Sequence, residues 1–160
     1  MLTITVDDSA FRSHMQELQK RLDNLTPVME DIGNRMENAV RQRFATRTDP
    51  SGAPWAPWMQ STRESYPVAG TPAAKKYGAG NALLLDRYGD MLGSLNFQAD
   101  PASVRVGFAQ PYATYHEYGT KRMARRGMLT ADPAQGRLGV ADEAMVLDVI
   151  TQWLAPKNGP

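Results

Sequence analysis

The chain contains no cysteine among its 160 residues. That excludes disulfides, thiolate metal sites and a cysteine nucleophile, and it suits synthesis in a reducing cytosol. No stretch approaches the roughly 20 apolar residues that a membrane-spanning helix needs. The first residues, MLTITVDDSAF, lack the basic start and apolar run of a signal peptide. An excess of charge is missing too: 18 lysines and arginines face 17 aspartates and glutamates, a formal net charge of +1. The whole molecule is therefore no magnet for nucleic acid or anionic membrane, and any basic patch is local.

Catalytic constellations are also scarce. The two histidines, His14 and His116, lie far apart, and His116-Glu117 is not followed by the second histidine of a zinc-binding helix. No glycine-rich loop leads to a lysine and a serine or threonine that would cradle phosphate, and no serine sits in a nucleophile elbow. The adjacent carboxylates Asp7-Asp8 and Asp142-Glu143 read as helix-start residues favoured by the helix dipole. The expectation is a protein that is no enzyme and uses no metal or cofactor.

What is present is the composition of a globular domain, with 42% hydrophobic and 22% charged residues, so one domain with a modest core is expected. Leu2, Ile4 and Val6 alternate with threonines and read as a short strand. Asp7, Asp8 and Ser9 offer caps for a helix in which Phe11, Met15, Leu18, Leu22 and Leu25 recur at steps of four and three. Thr26-Pro27 looks like a cap followed by proline at the first helical position. The next helix turns Val28, Met29, Ile32, Met36, Ala39, Val40 and Phe44 inward. A dimeric coiled coil across the break is the alternative, disfavoured by Pro27 and Gly33.

Residues 46–81 change character. Prolines at 50, 54, 57, 67 and 72 and glycines at 52, 70, 78 and 80 leave no sustained period. Structureless loops this long are usually functional or disordered. Trp55, Trp58, Tyr66 and Tyr77 argue against plain disorder, so the segment reads as an arm that orders on contact. Leu83 to Leu85 restart the core, and Asp86 to Gly93 fits a turn or a helical turn or two. Leu95 and Phe97 suggest a strand, Asp100-Pro101 a turn, and Val104 to Phe108 its antiparallel partner. Ala141 to Ala155 closes the chain as a helix, with Ala144, Leu147, Ile150 and Leu154 on one face and Trp153 beside them. The expected fold is α+β: a small, mostly antiparallel sheet packed by helices at 8–24, 27–45 and 141–155. The domain covers 1–155, 46–81 is a long projecting loop, and 156–160 is a flexible tail.

The richest segment is Val104 to Leu129. A strand leads into Tyr112, Tyr115, His116 and Tyr118, then Gly119, then Lys121, Arg122, Arg125 and Arg126. A strand, an aromatic turn and a basic arm suit a docking surface better than an active site. The basic cluster has three readings: a solvated face, a phosphate contact, or pairing with carboxylates of a neighbouring subunit, which arginine's planar fork suits. Interleaved tyrosines would also permit base stacking. His116 reads as a packing residue rather than a catalyst. Trp55 and Trp58 read equally as core filler beneath the loop or as anchors for a partner.

Three blocks then carry a resemblance. The first is Arg43-Phe44, Asp49-Pro50-Ser51-Gly52 and Pro54-Trp55-Ala56-Pro57-Trp58. The second is Leu84-Leu85-Asp86, Gly89, Met91-Leu92 and Ser94-Leu95. The third is Val106-Gly107, Tyr112-Ala113, His116-Glu117-Tyr118-Gly119 and Arg125-Arg126-Gly127-Met128-Leu129. In order and at these separations they resemble the phage virion morphogenesis family, the Mu G-like tail-completion proteins. In the third block relatives tend to read isoleucine-proline-alanine-arginine-proline-phenylalanine-leucine. Arg125 and Leu129 keep the places of that arginine and leucine, while the prolines and phenylalanine are replaced.

The resemblance implies a structural virion protein at the head–tail junction. It would form a homo-oligomeric, hexameric ring that meets the tail tube or tail terminator and the head–tail connector, with DNA passing through the lumen and no membrane contact. The subunit or partner interface is then expected at Trp55, Trp58, Tyr112, His116, Tyr118, Lys121, Arg122, Arg125 and Arg126. On this expectation, removing both tryptophans impairs assembly and leaves the monomer folded. The alternatives are a capsid-assembly factor and a nucleic-acid-binding module built on residues 121–126.

Overall fold

A computed structural model describes residues 8–65, 70 and 89–155. The expected strand at 2–6, Leu83 to Leu85, Tyr66, Tyr77 and the tail at 156–160 lie outside these residues. The described elements are α1 (Ser9–Leu22), α2 (Thr26–Thr46), α3 (Gln60–Ser65), α4 (Asp90–Gly93), β1 (Leu95–Ala99), β2 (Val104–Phe108), α5 (Ala113–Tyr118) and α6 (Val140–Leu154). The fold is α+β, a two-stranded antiparallel sheet packed with the N-terminal and C-terminal helices.

The helix α2 is the spine. Its buried apolar residues Val28, Ile32, Met36, Val40 and Phe44 fall every fourth position. Such a row is inclined to the helix axis, so it faces different neighbours along its length. Val28, Ile32 and Met36 pack with Val149 of α6. Val40 and Phe44 pack with Trp55, Met91, Leu95, Ala113 and Met128. Burying each such side chain contributes about 1.5–3 kcal/mol.

The helix starts differ from expectation by a small margin. Leu25, not Thr26, holds the N-cap position of α2, while the Asn24 side chain accepts the Thr26 N–H at 3.1 Å. Asp8 precedes α1 without capping it, because its carboxylate takes Arg12 Nε at 2.8 Å instead. The break at 23–25 separates α1 from α2, as the two-helix reading expects.

The strands pair in the register Leu95 with Phe108, Phe97 with Val106 and Ala99 with Val104. Asp100 builds the connecting turn: its carboxylate accepts the N–H groups of Ala102 and Ser103 and the Ser103 hydroxyl, each at 2.8 Å. The sheet lies directly on α2 because Gly33 leaves room for Phe97. A Cβ at that position would stand 2.3 Å from Phe97 Cδ2.

Two expectations are corrected. Residues 46–57 do not project. Asp49 closes a turn by accepting Ser51 N–H at 2.8 Å and Ala53 N–H at 2.9 Å, and Trp55 N–H returns to Arg47 O at 2.8 Å. That turn drops Trp55 into the core, and a helix, α3, succeeds it where no period was legible. The face of α6 is also rotated. Asp142 and Val149 are buried, while Leu147 and Leu154 of the expected inner face are exposed. The helix is apolar on nearly every side, so its periodicity does not define one face.

Candidate assembly surface

Helix α5 is short, and it turns Ala113 and Glu117 inward, one helical turn apart. Gly119 ends it with φ +74°, a backbone that a side chain would strain. The buried Glu117 organises the segment from Met128 to Thr130. One carboxylate oxygen accepts the N–H of Met128 at 2.6 Å and of Leu129 at 3.0 Å. The other accepts the N–H of Thr130 at 2.9 Å and the Thr130 hydroxyl at 2.5 Å. A buried carboxylate with this many donors is fully compensated.

The basic run divides in two. Arg125 donates from Nε to Glu117 O at 2.8 Å and from a terminal nitrogen to Thr130 O, and its guanidinium stands 3.5 Å from the Glu117 carboxylate. Arg126 is buried and donates to Ala56 O at 2.8 Å and Pro57 O at 3.0 Å. Trp55 Nε1 donates to Gly127 O at 3.0 Å, and Arg43 donates to Met128 O at 2.7 Å. Trp55, Arg125 and Arg126 thus direct their polar groups into their own chain, so the solvated-face reading does not hold for these two arginines, and of its two readings Trp55 takes the one in the core. Trp58 is half-buried.

Lys121 and Arg122 remain at the surface. They sit at the tip of a tight turn closed by Thr120 N–H to Met123 O at 2.9 Å and Met123 N–H to Thr120 O at 3.2 Å. Tyr112, Tyr115 and Tyr118 recur every three residues on the outer side of α5, all exposed. Tyr118 also lines an open groove of about 330 Å³ with Phe108, Pro111, Thr114 and Leu129. Along the chain, three exposed tyrosines lead through Gly119 into the exposed Lys121 and Arg122, and this rim is backed by the buried Glu117. Tyr115 belongs to this rim and was not among the expected interface residues, although its spacing from Tyr112 and Tyr118 is visible in the sequence. Among the described residues, no three histidines, aspartates or glutamates stand together as metal ligands.

His116 accepts the Arg126 N–H on its carbonyl at 2.9 Å. It is half-buried, and its Nδ1 has no hydrogen-bond partner among the described residues. Burial, and then the positive charge of Arg126, push its pKa down from 6.5 to about 4. Folding therefore favours the neutral ring. Its stabilisation is whole above the unfolded value of about 6.5 and is lost as pH falls towards about 4. Discounted for partial exposure, the loss is on the order of 2 kcal/mol. Urea midpoints should fall more steeply across that range for the natural chain than for His116→Gln. Parallel curves would contradict this.

Comparison with known proteins agrees with the family resemblance. No solved structure matches the chain. It is similar to the Mu-like prophage FluMu G protein 2 of Haemophilus influenzae, 26% identical over 156 residues, covering 96% of each chain. Residues 6–155 match the phage virion morphogenesis family, and the chain belongs to that family.

Proposed function

We propose that this virion morphogenesis protein acts at the head–tail junction, as a tail-completion or neck component that assembles into a ring. The observation that carries the reading is the rim of Tyr112, Tyr115, Tyr118, Lys121 and Arg122 held on a rigid polar base. Exposed tyrosines beside basic side chains are typical of protein contacts, with aromatic area at the centre and charge setting register. The inward turn of Arg125 and Arg126 halves the basic cluster, which weakens the nucleic-acid alternative. Membership of the phage virion morphogenesis family supports a role in particle assembly.

The test is complementation of a producer lacking the gene with the variant Tyr118→Ala, Lys121→Glu, Arg122→Glu. All three side chains are exposed, so the purified variant should keep its stability to within about 0.5 kcal/mol for each change. Infectious yield should nevertheless fall by about tenfold or more, as loss of a hot-spot contact implies. Full yield from a folded variant would overturn the rim as the assembly surface.

A further inference from the structure

Two helices show apolar faces to solvent. Helix α1 contains no buried residue, and Phe11 is 65% exposed, with Met15 and Leu22 also open and Leu18 half-buried. A helix of 14 residues is marginal in water unless an apolar face is covered. Its link to the body includes Arg21, which donates to Trp153 O at 3.2 Å and Ala155 O at 3.1 Å. Helix α6 leaves Val140 83% and Leu147 64% exposed, with Ala144 and Thr151 on the same side.

The two faces have one spacing. Phe11, Met15, Leu18 and Leu22 advance by four, three and four, and so do Val140, Ala144, Leu147 and Thr151. Such rows interlock when two helices pack at a shallow angle. Their charges are opposite. In α1, Arg12 pairs with Asp8 and Arg21 with Glu17, leaving Lys20 outside these pairs, whereas α6 carries Glu143 and Asp148 at its surface and no basic residue, its Asp142 being held by Arg43. Glu143 and Asp148 are exposed. Pairing α6 with α6 would set like charges together. At its start, the outer face of α6 also runs into an open groove of about 760 Å³ lined by Ala39, Pro50, Leu138, Val140 and Ala144. The groove, whose far side carries Gln42, Thr46, Thr48 and Asp49, is wide enough to admit an aromatic side chain at the start of a partner helix, and Phe11 is one.

We infer that α1 of one copy packs along the outer face of α6 of the next copy, with Phe11 seated in the groove beside Val140. The contact joins two different surfaces, so it propagates from subunit to subunit and closes where the rotation allows. It rests on the proposed self-assembly and adds a contact between copies separate from the tyrosine rim.

The absence of cysteine makes the test clean. Tagged Met15→Cys and untagged Leu147→Cys are co-expressed, purified together and treated with a short bismaleimide. The expected product is a covalent species of one tagged and one untagged chain, absent when either variant is treated alone. Failure of the mixed product, or an equal product from one variant alone, overturns the inference. Light scattering on the natural chain separates the causes. A multimer without the mixed adduct leaves self-assembly standing and removes this contact, and a monomer at every concentration removes both. The particles made by a producer lacking the gene report on the junction role independently of either result.

Discussion

Replacing Asp142 with alanine is expected to cost about 3–5 kcal/mol of stability. Asp142 is held by the Arg43 guanidinium, and both side chains are almost wholly buried, at 9% and 4% exposed for Arg43 and Asp142. The pair ties α2 to α6 across 99 positions of sequence. Arg43 also donates to Met128 O at 2.7 Å, so the same guanidinium fixes the segment that receives Glu117. Removing the carboxylate leaves a buried cation with one neutral acceptor, and the desolvation already suffered by the arginine goes uncompensated. The matched double variant Arg43→Met, Asp142→Leu should recover most of the loss, because it removes both charges and keeps apolar volume. Urea denaturation of Arg43→Met, of Asp142→Leu and of the double closes the cycle and gives the coupling directly. Equal losses for the single and double variants would mean that packing, and not charge compensation, sets the effect.

Trp55→Ala is expected to cost about 3–5 kcal/mol as well, by a different route. The indole is 6% exposed and stands edge-on to Phe44, with ring centroids 5.4 Å apart. Truncation opens a cavity at the centre of the larger core cluster and strips Gly127 O of its donor. Trp55→Phe separates these contributions, since it restores aromatic packing and leaves only the unpaired carbonyl, worth about 1–3 kcal/mol. Half-buried Trp58 should give a smaller loss on truncation. The expectation that removing both tryptophans spares the monomer is corrected accordingly, because the Trp55 change alone reaches into the core. Calorimetric melting of Trp55→Ala near the natural temperature would contradict the core assignment.

Helix α2 was legible because one polar-to-apolar period runs through it unbroken, and β1 and β2 because alternation brackets the Asp100 turn. The rest depended on contacts that local pattern does not encode. Asp142 in the first turn of α6 looks like a dipole-favoured acid, and only the approach of Arg43 makes it a buried partner. That pairing in turn helps set which side of an almost uniformly apolar helix faces the core. The basic run reads the same whether a guanidinium points out or in, and here the carbonyls of Ala56, Pro57, Glu117 and Thr130 decide. Trp55 lies in a stretch of prolines and glycines with no period. Its burial comes from the Asp49 turn on one side and the Arg126 clamp on the other. The tyrosine rim could be anticipated from Tyr112 to Tyr118, since three-residue spacing beside Gly119 leaves few other arrangements.

Electron microscopy of particles from a producer that lacks this gene tests the central claim most directly. The account predicts DNA-filled heads beside separate tails, or tails of irregular length that fail to join. Empty or malformed heads with normal tails would instead assign the protein to capsid assembly, and intact joined virions would contradict a role at the head–tail junction.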